Sequence, residues 1–225
     1  IDGTVCSECT TSACGVGFYR GSCGASSDAP CQACTGKPLN ASYVSAGSPA
    51  NVDNCNWTCN AGYWIDGTLC KDCGPGKYSD SGATACDDCP DGKYADTMGS
   101  STCTDCQAGQ RSKKLDTNPP RDSCVDCPEG KYEQNRVTCV KCPSGTYQPS
   151  TKVSNVSSCI SCPAGTHSAN IGAQLHSDCV KCAVGKFSGA TGMSVCDACA
   201  AGTYSSTEGT STCSVNLRNP LHLHV

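Results

Sequence analysis

The sequence predicts small disulfide-rich repeats: tandem cysteine-rich modules arranged as an elongated rod, with short β-strands and turns and almost no helix. Three observations predict this. Cys-x-x-Cys pairs recur every 15 to 21 residues from Cys70 onward. A Gly-x-aromatic element follows nearly every second cysteine. Leu, Ile, Val and Phe together make up about 12% of the 225 residues. Below about 20%, a chain lacks the apolar surface to offset its conformational entropy.

The fixed period is read first, because it is the signature of a repeat architecture. Ten Cys-x-x-Cys pairs hold most of the 25 cysteines. The regular ones start at Cys70, Cys86, Cys103, Cys124, Cys139, Cys159, Cys179 and Cys196. Between them runs a shared unit, as in CPDGKYADTMGSSTC from Cys89 and CAAGTYSSTEGTSTC from Cys199. Gly76, Gly92, Gly130, Gly145, Gly165, Gly185 and Gly202 sit where a turn needs positive φ or a close backbone approach. Pro90, Pro128, Pro143 and Pro163 suit the first corner of such a turn. Tyr78, Tyr94, Tyr132, Tyr147, Phe187 and Tyr204 follow two residues after the glycine. Each ring is expected to lie over a disulfide or the next turn and to act as the local packing unit. Two repeats depart, with Gln110-Arg111 and Thr166-His167, and are expected to pack more loosely. No stretch has helical periodicity, so turns and strands of two to four residues are expected.

Cysteine supplies what the core does not. At 11% of the chain, it points to a covalently stapled scaffold. A bond closing about 15 residues stabilises by about 3 kcal/mol in the chain-entropy model. Counts alone leave the pairing open, but the repeat favours one scheme, the second cysteine of one pair joined to the first of the next. That scheme predicts Cys59–Cys70, Cys73–Cys86, Cys89–Cys103, Cys106–Cys124, Cys127–Cys139, Cys142–Cys159, Cys162–Cys179, Cys182–Cys196 and Cys199–Cys213. Cys34–Cys55 fits as a longer loop. In the first segment, crossed bonds Cys9–Cys23 and Cys14–Cys31 leave Cys6 over. An odd cysteine implies an absent upstream partner or an intermolecular bond.

Disulfides on this scale imply an oxidising compartment, hence a secreted or cell-surface chain. Three sequons agree, at Asn40, Asn56 and Asn155, each an acceptor for an N-linked glycan. The net charge of −4 and pI near 5.5, with no basic stripe, argue against nucleic acid as a partner. The cluster Arg111-Ser-Lys113-Lys114 reads as a solvated loop. No apolar run approaches the roughly 18 residues of a membrane span. No signal peptide is present, so the numbering is expected to start within a mature chain or a fragment. Four regions are expected: an irregular module at 1–34, transitional modules with a long loop at 35–69, the regular array at 70–213, and a cysteine-free tail at 214–225.

The units CPDGKYADTMGSSTC, CPSGTY and CAAGTYSSTEGTSTC resemble the ephrin-receptor-like cysteine-rich repeat, itself similar in style to the one-disulfide modules of tumour-necrosis-factor-receptor ectodomains. The resemblance covers roughly residues 59–213. Gly17-Phe18-Tyr19 keeps the Gly-aromatic element in the first segment. Long runs of such repeats are similar to protist surface proteins, namely ciliate immobilisation antigens and the flagellar-hair (mastigoneme) proteins of algae. The resemblance implies stacked modules that each touch only their neighbours, consistent with a quasi-one-dimensional repeat. A compact chain of this length would have a radius of gyration near 17 Å; the array is expected to exceed it.

The function expected is therefore structural: part of an extracellular coat, stalk or filament, partnered by other copies of itself or by other surface proteins. The alternative is a receptor-type ectodomain gripping a protein ligand along its side. Two loops that break the repeat would serve it: Cys34 to Cys55, with Tyr43, and Arg111 to Arg121, with Lys113, Lys114, Pro119 and Pro120. Repeated Cys-x-x-Cys is also a zinc signal, but zinc needs a reduced chain, against which the sequons and repeats argue. A redox motif needs a helix start in an α/β pattern, which is lacking. No cofactor and no enzyme activity are expected. Of the four histidines, His167 takes the aromatic slot of its repeat, and His222 and His224 lie in the tail. No nucleophile–base or paired-carboxylate arrangement stands out. Trp57, Tyr63 and Trp64 form the richest aromatic spot, read as a small core or as a platform for stacking a ligand or glycan.

Overall fold

The computed structural model describes residues 14–21, 30–47, 55–113 and 121–215. They fall in two compact units, one drawn from residues 1–90, 94–104 and 114–123, the other from residues 91–93, 105–113 and 124–225. Cys6, Cys9 and Cys23 lie outside the described residues. So do Lys114, Pro119, Pro120, His222 and His224.

The repeating element is an antiparallel pair of very short strands. Eleven two-stranded sheets occur among the described residues. Lys77–Tyr78 pairs with Asp87–Asp88, and Thr166–His167 with Val180–Lys181. The longest ladders are Tyr63–Asp66 against Leu69–Asp72 and Lys131–Gln134 against Thr138–Lys141. Two 3₁₀ turns, Val156–Ser158 and His176–Asp178, are the helical elements among the described residues. A two-residue ladder with no apolar alternation has little stability of its own. The covalent bond across each hairpin holds it closed.

Ten of the eleven described strand pairs begin at a tight turn built on glycine, and the pair opened by Ala41–Tyr43 begins at Asn40, which takes positive φ in its place. In CPEGK, the Lys131 N–H donates to the Pro128 carbonyl at 3.2 Å, with Gly130 between them at φ 72°. Positive φ at the third turn position defines a type II turn. The proline thus stands one place earlier than the first corner expected for it. It contributes the accepting carbonyl, because the glycine has to occupy the third position.

The centre of each module is sulfur and small side chains, which corrects the expected aromatic packing units. Cys59, Cys73, Cys89, Cys106, Cys127, Cys142, Cys162 and Cys182 are all at most 1% exposed. The residue just after the aromatic slot is buried as well: Ser79, Ala95, Ser112, Glu133, Gln148, Ser168, Ser188 and Ser205. The rings of Tyr78, Tyr94, Tyr132, Tyr147 and Phe187 are only half-buried, and Tyr204 is exposed. A two-stranded hairpin has too little face to cover a ring. A serine or alanine fits between one hairpin and the next.

Candidate functional site

The chemistry that recurs along this chain is the joint between modules. Its centre is the glycine of Cys-x-x-Gly. In the module opened by Cys142, the Gly145 N–H donates to the carbonyl of Ser168 in the next module at 2.7 Å. The Gly145 carbonyl accepts from the N–H of Cys162 at 2.9 Å. In return, the Gly172 N–H donates to the carbonyl of Cys142 at 2.8 Å. The same joint recurs, with Gly130 donating to Gln148, Gly165 to Ser188 and Gly185 to Ser205. Both polar groups of each glycine are thus satisfied, as burial demands. In the first unit, Gly62 donates to Ser79 and Gly76 to Ala95.

Two joints use a side chain where the others use a carbonyl. The Gly92 N–H donates to Ser112 Oγ at 3.0 Å, and the Gly109 N–H to Glu133 Oε2 at 3.4 Å. Glu133 Oε1 also accepts from the Arg136 N–H. These substitutions keep the donor paired in the repeats whose signature departs or whose strands lengthen. Looser packing was expected at Gly109 and Gly165. Instead, a Cβ placed on either would meet a backbone oxygen at 2.1 Å, so both sites are filled.

The modules also touch their second neighbours, which corrects the nearest-neighbour expectation. A Cβ on Gly130 would lie 2.3 Å from the carbonyl oxygen of Gly172, with the loop closed by Cys142 and Cys159 between them in sequence. Gly62 meets Gly99, Gly145 meets Gly192 and Gly165 meets Gly209 in the same way. The signal for this joint was present as GKYS, GTYQ, GTHS, GKFS and GTYS. The small or polar residue three places after each glycine went unread because its burial depends on the following module.

The structure bridges Cys14 to Cys31, Cys34 to Cys55, Cys59 to Cys70 and Cys73 to Cys86. It bridges Cys89 to Cys103, Cys106 to Cys124, Cys127 to Cys139 and Cys142 to Cys159. The last three are Cys162–Cys179, Cys182–Cys196 and Cys199–Cys213. Three donors converge at His167, Cys182 and Cys196, all within 4.8 Å of one another. There the two sulfurs are bonded to each other, so neither offers the thiolate that a metal takes.

The sequon asparagines Asn40, Asn56 and Asn155 are all exposed. Asn155 precedes the turn Val156–Ser158, and its Oδ1 accepts from the hydroxyl of Ser157, the sequon serine. Trp57 faces Tyr43 across a strand pair. Trp64 is separate: Lys71 Nζ lies 5.8 Å from its ring centre, and the ring lines a hollow of about 260 Å³ with Asp72, Lys77 and Cys86. Asp178 accepts at Oδ2 from the N–H groups of Gln174 and Leu175, at 2.8 and 2.9 Å. The Leu175 and Gln174 bonds hold its carboxyl below its ordinary value of 3.8. No helix among the described residues is long and apolar enough to cross a membrane.

With this geometry in hand, two stretches match a known family. Residues 76–122 and 130–179 fit the family model described as tyrosine-protein kinase ephrin type A/B receptor-like. Both stretches are thus similar to ephrin-receptor-like repeats. Each stretch takes in the turn glycine, the strand pair and the buried residue of its joints. No curated relative matches the chain.

Proposed function

We propose that this chain is an extracellular structural protein, a stiff spacer within a cell-surface coat, stalk or filament, as in the protist surface proteins its modules resemble. The observation that carries this reading is the joint. Gly62, Gly76, Gly130, Gly145, Gly165 and Gly185 each donate to the next module and accept from it, and second-neighbour backbone fills the space over Gly62, Gly130, Gly145 and Gly165. A joint bonded in both directions transmits load from one module to the next. The disulfides keep each closed loop from contributing free length, an arrangement suited to holding a distance. Ephrin-receptor-like modules are non-catalytic ectodomain units, and disulfides in this number persist in an oxidising compartment. Self-association and contact with other surface proteins belong to this reading, as do N-glycans on the exposed Asn40, Asn56 and Asn155.

Single-molecule stretching of the unreduced chain tests it. The spacer reading expects little lengthening until a dithiol is added. Each opened bond then releases a step matching one closed loop, with cysteines 11 to 21 residues apart in sequence among the described bonds. Easy extension before reduction would overturn it.

A further inference from the structure

One disulfide differs from the rest in what lies against it. His167 occupies the slot that holds a tyrosine or phenylalanine in most other repeats. Its Nδ1 is 3.1 Å from Sγ of Cys196, in the next module, and 3.1 Å from the carbonyl oxygen of Val180. A carbonyl only accepts, so this contact places the proton on Nδ1. The same N–H therefore faces the sulfur. Cys182 Sγ lies within 4.8 Å of a ring nitrogen of His167. Cys182 is fully buried, whereas Cys196 is half-exposed. One sulfur of this bond is thus open to attack and has a donor waiting for its thiolate. The aromatic side chains of the other repeats present a phenyl ring, or a phenol whose hydroxyl is at the far end.

We propose that Cys182–Cys196 is a redox-exchangeable disulfide, a reaction site for a dithiol reductant, with His167 as its positioning residue. In the first step a thiolate of the dithiol attacks the accessible Cys196 Sγ. The S–S bond breaks, its electron pair goes to Cys182 Sγ, and that sulfur takes a proton from water. In the second step the other thiol of the reductant loses its proton and attacks its own mixed-disulfide sulfur. The reductant leaves as a cyclic disulfide and Cys196 is released as a thiolate. Two electrons have moved from the dithiol to the cysteine pair. The Nδ1–H of His167 stabilises the Cys196 thiolate by a charge-assisted hydrogen bond, the device that makes a reduced form favourable and its disulfide oxidising. The reduced Cys196 thiolate can then attack a disulfide of a partner: a new S–S bond forms to Cys196, the partner's S–S bond breaks, and the partner's other sulfur leaves as a thiolate, converting the spacer into a covalent attachment point.

The test is limited reduction of the intact chain with substoichiometric dithiothreitol, alkylation, and peptide mapping of the labelled cysteines. Cys182 and Cys196 are expected to be labelled first. His167→Phe keeps the ring type found in the next repeat and is expected to cut that labelling roughly tenfold, the size of one hydrogen bond to a charged group. His167→Gln retains an N–H donor and is expected to recover part of it. Near-ultraviolet circular dichroism of both variants checks that the modules stay folded. First labelling at another pair, or equal labelling in folded His167→Phe, would overturn the proposal.

Discussion

Gly145 and Gly192 are in backbone contact although a complete disulfide-closed loop separates them in sequence. A Cβ on Gly145 would stand 2.0 Å from the Gly192 carbonyl oxygen. Gly145 has φ 83°, so any other residue would also meet left-handed strain. Gly185 has nearly the same φ, 81°, but no described atom lies within 4 Å of its Cβ position.

That contrast separates two effects in one measurement. Gly185→Ala should lose about 1 kcal/mol to the left-handed backbone. Gly145→Ala should lose about 2 kcal/mol more, because backbone has to move. Thermal unfolding with the disulfides intact reads the difference. Equal losses would mean that the second-neighbour contact contributes nothing.

Ser112 is the hydroxyl that replaces a carbonyl in its joint. Ser112→Ala leaves the buried Gly92 N–H without its acceptor, a loss of about 1–3 kcal/mol. Hydrogen exchange at the Gly92 amide should accelerate while amides in distant modules keep their rates.

Removing one staple measures the covalent contribution. The double change Cys142→Ser and Cys159→Ser opens a loop whose ends are 17 residues apart, at a cost of about 3 kcal/mol. Proteolysis should then begin inside residues 142–159. Mass mapping of the unreduced native chain should return Cys142 linked to Cys159, and Cys73 to Cys86.

Asp178 gives a pH dependence whose sign is fixed. Its carboxyl is depressed in the folded state by the Leu175 and Gln174 N–H groups. Its contribution is therefore present above pH 3.8 and lost as the pH falls through the lower folded value. Amide chemical shifts of Gln174 and Leu175 should move with acid below that point, and Asp178→Asn should abolish the movement.

Expression through a eukaryotic secretory pathway tests the glycan reading. Asn155 is exposed and its sequon serine already lies against its side chain. Asn155→Gln should remove one glycan mass, read by intact-protein mass spectrometry.

Much of the fold was legible because the period is local. Cysteine content, missing apolar residues and the Cys-x-x-Gly-x-aromatic unit are enough to specify small disulfide-rich modules with short strand pairs and almost no helix. Gly76, Gly92, Gly130, Gly145, Gly165, Gly185 and Gly202 were legible as positive-φ positions, and all have positive φ. A turn constrains residues within four places of one another, so sequence reads it well. Tertiary structure alone decided what fills the space between modules. Ser168 and Ser188 look like solvated loop residues, yet each is at most 1% exposed. Their burial comes from a neighbouring hairpin. The close approach of Gly145 to Gly192 depends on how two successive joints accumulate, and the contact of His167 with Cys196 on which module follows. No single repeat contains that information, because each relationship is a property of modules stacked in space.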